Sequence, residues 1–284
     1  MKNWLIYFLC VAVGVVSVPI ASDRMVEESL PMLTVSMENI VTEMDIEEFA
    51  LRILIAEKPS HPQTIRALAV AARSVGAYLS IFGCKHDEFD ICDKGNCCFT
   101  LGDPQNCPEE LLTEYKNALA ETHGITLTID GMPAMALFCL CAGSATGNCA
   151  EFTYLRSVAE EYPCREHIYE TTLDYSALNA VCNDIYAIKT NSVLVYEENQ
   201  KCDFAVIGGK YISGTELSEM LDTKSNEFTV TFGENVINIR SRGIGHGYGM
   251  SLCGAEKHAK NGKSYEEILK IYYPDLMLNK IYHN

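Results

Sequence analysis

The order of predicted elements places this chain in the α+β class, as a mixed, two-lobed domain behind a single-span N-terminal anchor. Three observations carry that reading. An apolar run fills residues 4–20, two long helical patterns follow between 46 and 82, and the rest mixes short strands with short helices.

In "MKNWLIYFLCVAVGVVSVPIAS" one Lys precedes the apolar run. It reads as a signal peptide or short membrane anchor. Its length is near the lower limit for spanning a bilayer. Pro19 and Ile20 before Ala21 make a poor small-x-small cleavage site, which favours an uncleaved anchor over residues 1–21. Residues 22–44 read as a linker with strand-like pieces ("MLTVSM"), and 45–284 as the folded domain.

In "DIEEFALRILIAEKP" Ile46, Phe49, Ile53 and Ala56 keep helical spacing, and Pro59 ends the helix. "QTIRALAVAARSVGAYLSIF" is apolar on most faces, so it is a buried helix. Its Arg66 and Arg73 share one polar face. A buried arginine needs an acidic partner or a bound anion, and Glu57 is a candidate partner. A cysteine-rich loop spans 83–107. Pro108 opens a helix that Gly124 closes. "ITLTID-GM-PAMALF" turns at Asp130-Gly131 as a β-hairpin. Residues 176–189 predict a further helix, "CDFAVIGGKYIS" is strand-like, and Ser213 with Glu216 caps a short helix. "FTVTFGENVINIR" predicts a second hairpin that feeds into "GIGHGYGMSLCGA".

That last stretch places glycine at 243, 245, 247 and 249 around His246. Its spacing fails the G-x-G-x-x-G dinucleotide pattern. The later "NGKS" lacks the first glycine of a phosphate loop, because residue 257 is Lys. It reads instead as a helix stop at Gly262 and a capping box from Ser264 to Glu267. The alternating glycines then form a tight loop held against a histidine.

The chain has 284 residues, a formal net charge of −16 and 13 cysteines. No basic stripe offsets the acidity, which excludes nucleic acid as a partner. An anionic substrate gains no long-range attraction and needs local Arg or Lys. Twelve cysteines lie beyond the anchor. That is a disulfide-permissive compartment, although their pairing cannot be read from spacing.

Four blocks stand in order: "AEKP…IRALAVAARSVGAYL", "HDEFDICDKGNCC", "FCLCAGSATGN…YLRSV" and "SRGIGHGYGMSLCGAEKHAKNGKSYEEILKIYYP". Together they resemble the stage II sporulation protein D family, which includes the amidase enhancers, over residues 46–282. The resemblance implies a membrane-anchored lytic transglycosylase on the extracytoplasmic face, which is the mother-cell membrane in a sporulating host. Such an enzyme cuts peptidoglycan glycan strands during engulfment and leaves 1,6-anhydro-muramic ends. Implied partners are the glycan itself, a cell-wall amidase or endopeptidase, and membrane sporulation proteins. The family's acid falls at Glu57, in "LIAEKP". One carboxyl suffices, because the nucleophile is the C6 hydroxyl of the same muramic acid; ordinary glycosidases instead use a carboxylate pair. Apolar Leu54, Ile55 and Ala56 around Glu57 would raise its pKa. Arg73, Tyr154, Arg156, Thr146 and His246 match family blocks and are expected to bind substrate, with a loop-locking role as the alternative for His246 and an ion-pair role as that for Arg73.

The chain departs from the family in two blocks. The family's H-x5-C-x3-H-C loop has zinc-like composition. Here His86, Cys92, Cys97 and Cys98 would supply a structural zinc, with Asn96 in place of the second histidine and Cys84 or Cys107 as stand-ins. Disulfides closing the loop are the alternative. The family's F-H-S-T-S-G-G-x-T-E-N block is "FCLCAGSATGN", where Cys139, Leu140, Ala142 and Gly147 replace polar residues while Thr146 and Asn148 survive. Leu68 and Leu252 replace glutamines. Retained Glu57 favours the enzyme; the altered block favours a non-catalytic wall-binding activator of an amidase. A third reading takes the Cys/His loop as a thiol or metal centre.

Overall fold

In the computed structural model, residues 31–83, 86–94, 98–163 and 165–281 are described. The anchor proposed for residues 1–21 lies outside them. Seven α-helices and fourteen short strands are intermixed along these residues.

The chain opens with a hairpin, β1 (Met32–Met37) and β2 (Ile40–Asp45), whose parallel neighbour is β3 (Ile91–Cys92). Leu33 and Val35 are fully buried. This stretch, read as linker, is therefore part of the folded unit. Helix α1 (Ile46–Glu57) starts where the Asp45 side chain accepts from the Glu48 N–H. Helix α2 (Pro62–Phe82) has Pro at its first position, His61 as cap and a nearly all-buried Ala/Val surface. It is long and apolar enough to cross a membrane, but most of it is inside the protein. It is the axis of the first core, packed by α1, α3 (Glu109–Glu121) and two later helices.

Asp130 and Gly131, both at positive φ, turn β4 (Ile125–Ile129) into β5 (Met132–Pro133), as the sequence predicts. Strand β6 (Phe138–Cys139) then leaves this sheet. The second group comprises β7 (Ile168–Asp174), α4 (Ile185–Thr190), β8 (Val193–Tyr196), β9 (Cys202–Ile207), β10 (Lys210–Ser213), α5 (Gly214–Met220), β11 (Phe228–Phe232) and β12 (Val236–Arg242). They form two antiparallel sheets, in orders β10-β9-β8 and β11-β12-β7, around a separate cluster of buried side chains that includes Leu178, Ile207, Leu217, Phe228 and Ile237. The helix expected over 176–189 is broken. A 3-10 turn at Tyr175–Leu178 comes first, and α4 restarts only where the Asp184 side chain accepts from the Ala187 N–H. The capping side chain competes with helix continuation.

The chain then returns to the first core. Strand β13 (Met250–Ser251) pairs in parallel with β6. Helices α6 (Leu252–Lys260) and α7 (Tyr265–Tyr272) pack on α2, and β14 (Met277–Lys280) pairs with β4. Both predicted capping boxes, Ser213 with Glu216 and Ser264 with Glu267, are formed.

Candidate functional site

Glu57 is the last residue of α1. The helix stops because Lys58 takes left-handed angles (φ 53°, ψ 49°) and its N–H bonds back to the Leu54 carbonyl. A residue before proline avoids helical angles, and a non-glycine in the left-handed region is strained. The conformation is held from outside. Pro59 is buried, and its carbonyl accepts from the Tyr115 hydroxyl at 3.2 Å. The Glu57 carboxyl is half-buried, and desolvation raises its pKa. The negative end of the α1 dipole pushes in the same direction. Among the described residues no salt bridge or hydrogen bond holds this carboxyl. It is a desolvated acid with its proton-bearing oxygens unengaged.

Arg73 is fully buried and does not pair with Glu57. Its guanidinium fork meets Glu47, Nε to Oε1 and Nη2 to Oε2, both at 2.7 Å, and Nη1 reaches the Ile125 carbonyl at 3.0 Å. The expected sugar contact is corrected for this residue, since no face of the fork remains for a ligand. Thr146 is corrected in the same way. It is fully buried, donates to the Arg156 carbonyl at 3.2 Å and accepts from the Val158 N–H at 2.8 Å. It clasps two loop segments together. Tyr154 and Arg156 remain accessible. The Tyr154 ring is half-buried beside Phe152, and its oxygen accepts from the Met135 N–H at 2.9 Å while its own proton is not engaged by a described residue. Burial first, then nearby charges, pushes this phenol to about 12, so it keeps that proton. Arg156 is exposed and meets Asp275 at 3.0 Å.

The glycine loop joins the 138–148 block along its whole length. Met250 and Ser251 face Phe138 and Cys139, Ile244 exchanges main-chain bonds with Cys141 at 2.8 and 3.1 Å, and the Gly147 N–H donates to the Gly247 carbonyl at 2.8 Å. All four glycines have positive φ, between 68° and 97°. Close approach adds a second demand. A Cβ at 243 would lie 2.6 Å from the Cys141 carbonyl oxygen, and one at 249 would overlap that of Leu137. Glycine is therefore required twice over, by angle and by space.

His246 caps this seam. Its Nδ1 accepts from the Tyr248 N–H at 3.0 Å, its ring is held by the Phe138 main chain, and it stacks on Tyr248 at 5.6 Å. The ring is solvent-accessible, yet protein surrounds it densely enough that desolvation, first among the causes, lowers its pKa to about 4. It is thus a neutral imidazole held by main chain and stacked on Tyr248.

Three charged residues that the sequence does not single out lie beneath the loop. Lys201 is buried and donates to the Ala142 carbonyl at 2.6 Å. Desolvation lowers its pKa against the opposing pull of Glu227, Cys139, Cys141 and Glu160. Glu160 is buried against the Tyr272 hydroxyl, at 3.0 and 3.1 Å from its two oxygens. The Ser144 N–H donates to Glu227 at 2.7 Å, and the Ser144 hydroxyl bonds its other oxygen. None of the three sits in a motif. Only long-range packing reveals them.

In the cysteine-rich loop the ligand atoms of His86, Cys92 and Cys98 all lie within 4.8 Å of one another, with His86 Nε2 3.3 Å from Cys98 Sγ. One imidazole and two thiols match the donor chemistry of a zinc site. Cys97, and the stand-in Cys84, lie outside the described residues, and Cys107 is not in the cluster. Cys107, Cys139, Cys149, Cys182, Cys202 and Cys253 are thiols.

The family model described as "Stage II sporulation protein" (SpoIID) matches residues 35–129, the stretch from β1 to β4 that holds Glu57. Stage II sporulation protein D of Bacillus subtilis is 26% identical over 267 residues, covering 86% of this chain and 76% of that protein. Its counterpart in Bacillus amyloliquefaciens is 26% identical over 262 residues, covering 84% and 74%. The amidase enhancer of Bacillus subtilis is 46% identical over 55 residues, covering 19% of this chain and 8% of that protein. With the Glu57 segment inside the family match and the likeness to both D proteins running over most of each chain, the chain is similar to the stage II sporulation protein D and amidase enhancer family.

Proposed function

We propose that this protein is a lytic transglycosylase that cuts peptidoglycan glycan strands between muramic acid and glucosamine, in the cell-wall remodelling of sporulation. The observation that carries the reading is the Glu57 carboxyl: half-buried, raised in pKa and engaged by no described partner at the strained end of α1. Such a group stays protonated closer to neutrality than a solvated carboxylate. It gives its proton to the glycosidic oxygen as the C1–O bond to the leaving sugar breaks. The resulting carboxylate then takes the proton of the muramic C6 hydroxyl as O6 bonds to C1. The anhydro ring closes, and Glu57 ends protonated, ready for another cycle. No water and no second carboxylate enter.

The exposed His246 ring would face the glycan, and Tyr154 and Arg156 offer accessible donors for sugar hydroxyls and acyl groups. His86, Cys92 and Cys98 would hold a zinc ion in a structural role, tying the 86–98 loop together. Anchoring by residues 1–21 would set the domain on the outer face of the membrane, where the glycan and a wall amidase are its partners.

The test is incubation of the protein with glycan strands stripped of stem peptides, followed by mass analysis for 1,6-anhydro-muramic ends. Glu57→Gln should lower the rate at least ~10²-fold with its melting temperature retained. Wild-type turnover in that variant would refute the assignment. Absence of product from the wild type, together with stimulation of a purified wall amidase, would establish the activator reading instead.

A further inference from the structure

The acidic chain must meet an anionic strand somewhere, and only local cations can do it. Four concavities can be compared by the charges that line them. The one beside α5 has Lys210 against Glu216 and Glu219. That between α2 and α3 has Arg66 against Glu110, Glu114 and Glu121. The aromatic one around Phe82 has only Glu151. In the fourth, cations exceed anions: Arg240 and Arg242 against Glu227. Its volume is about 220 Å³, and Ser144, Tyr196 and Gln200 complete its polar lining.

This cavity lies where β12 runs into the glycine seam, since Arg242 directly precedes Gly243 and Ser144 belongs to the 138–148 block. Arg242 is braced rather than neutralised. Its Nη1 is 3.3 Å from the Ser144 hydroxyl and 3.5 Å from Glu227, while no described residue engages Nη2 or Nε. Glu227 in turn has both oxygens on Ser144. Arg240 meets Glu170 through Nε alone, at 3.3 Å, and is more than half exposed. Two partly free guanidinium forks on one strand face suit a planar carboxylate. Tyr196 and Gln200 add neutral donors for sugar oxygens.

We propose that this cavity is a carboxylate subsite that takes the free lactyl carboxylate of a muramic acid in the strand being processed. The inference rests on the glycan reading above and adds a source of selectivity to it. A stem peptide converts that carboxylate to an amide, which removes the charge and adds a chain. An amide at this place leaves the two guanidinium forks without the anionic partner that a free carboxylate supplies. Stripped strands are thus favoured over peptide-bearing ones.

The experiment measures binding by the full chain carrying Glu57→Gln, so that strands stay intact. Two probes are compared: stripped glycan, and the same glycan with its lactyl carboxylates converted to methylamides. The stripped glycan should bind about tenfold more tightly, with the advantage shrinking in high salt. Adding Arg242→Gln should abolish that advantage and leave the methylamide affinity unchanged. Arg240→Gln serves the same comparison if the Arg242 variant does not fold. Equal affinity for the two probes in the parent, or equal losses on both in the arginine variants, would overturn the subsite alone. Failure of the parent to bind either probe would overturn the glycan reading together with it.

Discussion

Glu160 provides a prediction whose size follows from its surroundings. The carboxyl is 7% exposed, beneath Gly254 of α6 and against Tyr272 of α7. Hydrogen bonds from Tyr272 and Ser251, with Lys257 and Lys201 nearby, favour its ionised form, but desolvation outweighs them and raises the pKa from 4.5 to about 7. The folded protein therefore holds this proton more tightly than the unfolded chain does. Its contribution to stability is fully present below pH 4.5 and is lost as pH rises through about 7. At about 1.4 kcal/mol per pH unit, the difference approaches ~3 kcal/mol, most of it between pH 5 and 8. Glu160→Gln keeps an acceptor for Tyr272 and cannot ionise. Urea unfolding of both proteins at several pH values isolates the group, because other titrations cancel in the difference. Wild-type stability should fall by about 2–3 kcal/mol relative to the variant from pH 5 to pH 8. A difference that stays flat over that range would show that Glu160 does not titrate there.

Glu47→Ala strands the fully buried Arg73 charge and should cost about 3–5 kcal/mol in chemical unfolding. Gly249→Ala must accommodate φ 68° and overlap with the Leu137 carbonyl, so it should lower stability by more than ~1 kcal/mol in the same assay. If His86, Cys92 and Cys98 hold zinc, metal analysis will find one equivalent and a chelator will lower the melting temperature; a metal-free protein insensitive to chelator would remove zinc from the site.

Local signals made much of this legible in the sequence. Asp45 and the spacing of Ile46, Phe49 and Ile53 mark α1, Asp130-Gly131 marks a turn, and two Ser/Glu pairs mark helix starts. The alternating glycines also carry their own signature, because positive φ at all four needs residues without a Cβ. What stayed hidden depends on pairs far apart in the chain. Glu47 holds Arg73 from 26 residues away, and Tyr272 holds Glu160 from 112 away. The metal cluster is half legible: the family resemblance implies His86, Cys92, Cys97 and Cys98, and the fold brings the ligand atoms of His86, Cys92 and Cys98 together. Thr146 looked like a surviving sugar contact because a hydroxyl reads the same in a cleft and in a core.

That ambiguity bears on the choice between enzyme and activator. The case for a non-catalytic protein rests on polar family positions replaced here by Leu68, Cys139, Leu140, Ala142, Gly147 and Leu252; Leu140 is half-buried and Gly147 buried. In the fold Leu68 and Ala142 are 0% exposed, Leu252 3% and Cys139 5%. Apart from Leu140, these substitutions alter the interior, where apolar groups need no partner. Cys139 still takes part in hydrogen bonding, since the Gly247 main chain bonds to its sulfur, and burial pushes its thiol up to about 12, which keeps it neutral and unreactive. Meanwhile the side chains of Glu57, Tyr154, Arg156 and His246 each stay at least partly accessible to solvent. The departures leave Glu57 at the end of α1, its carboxyl desolvated and engaged by no described residue, as the proposed proton transfer requires.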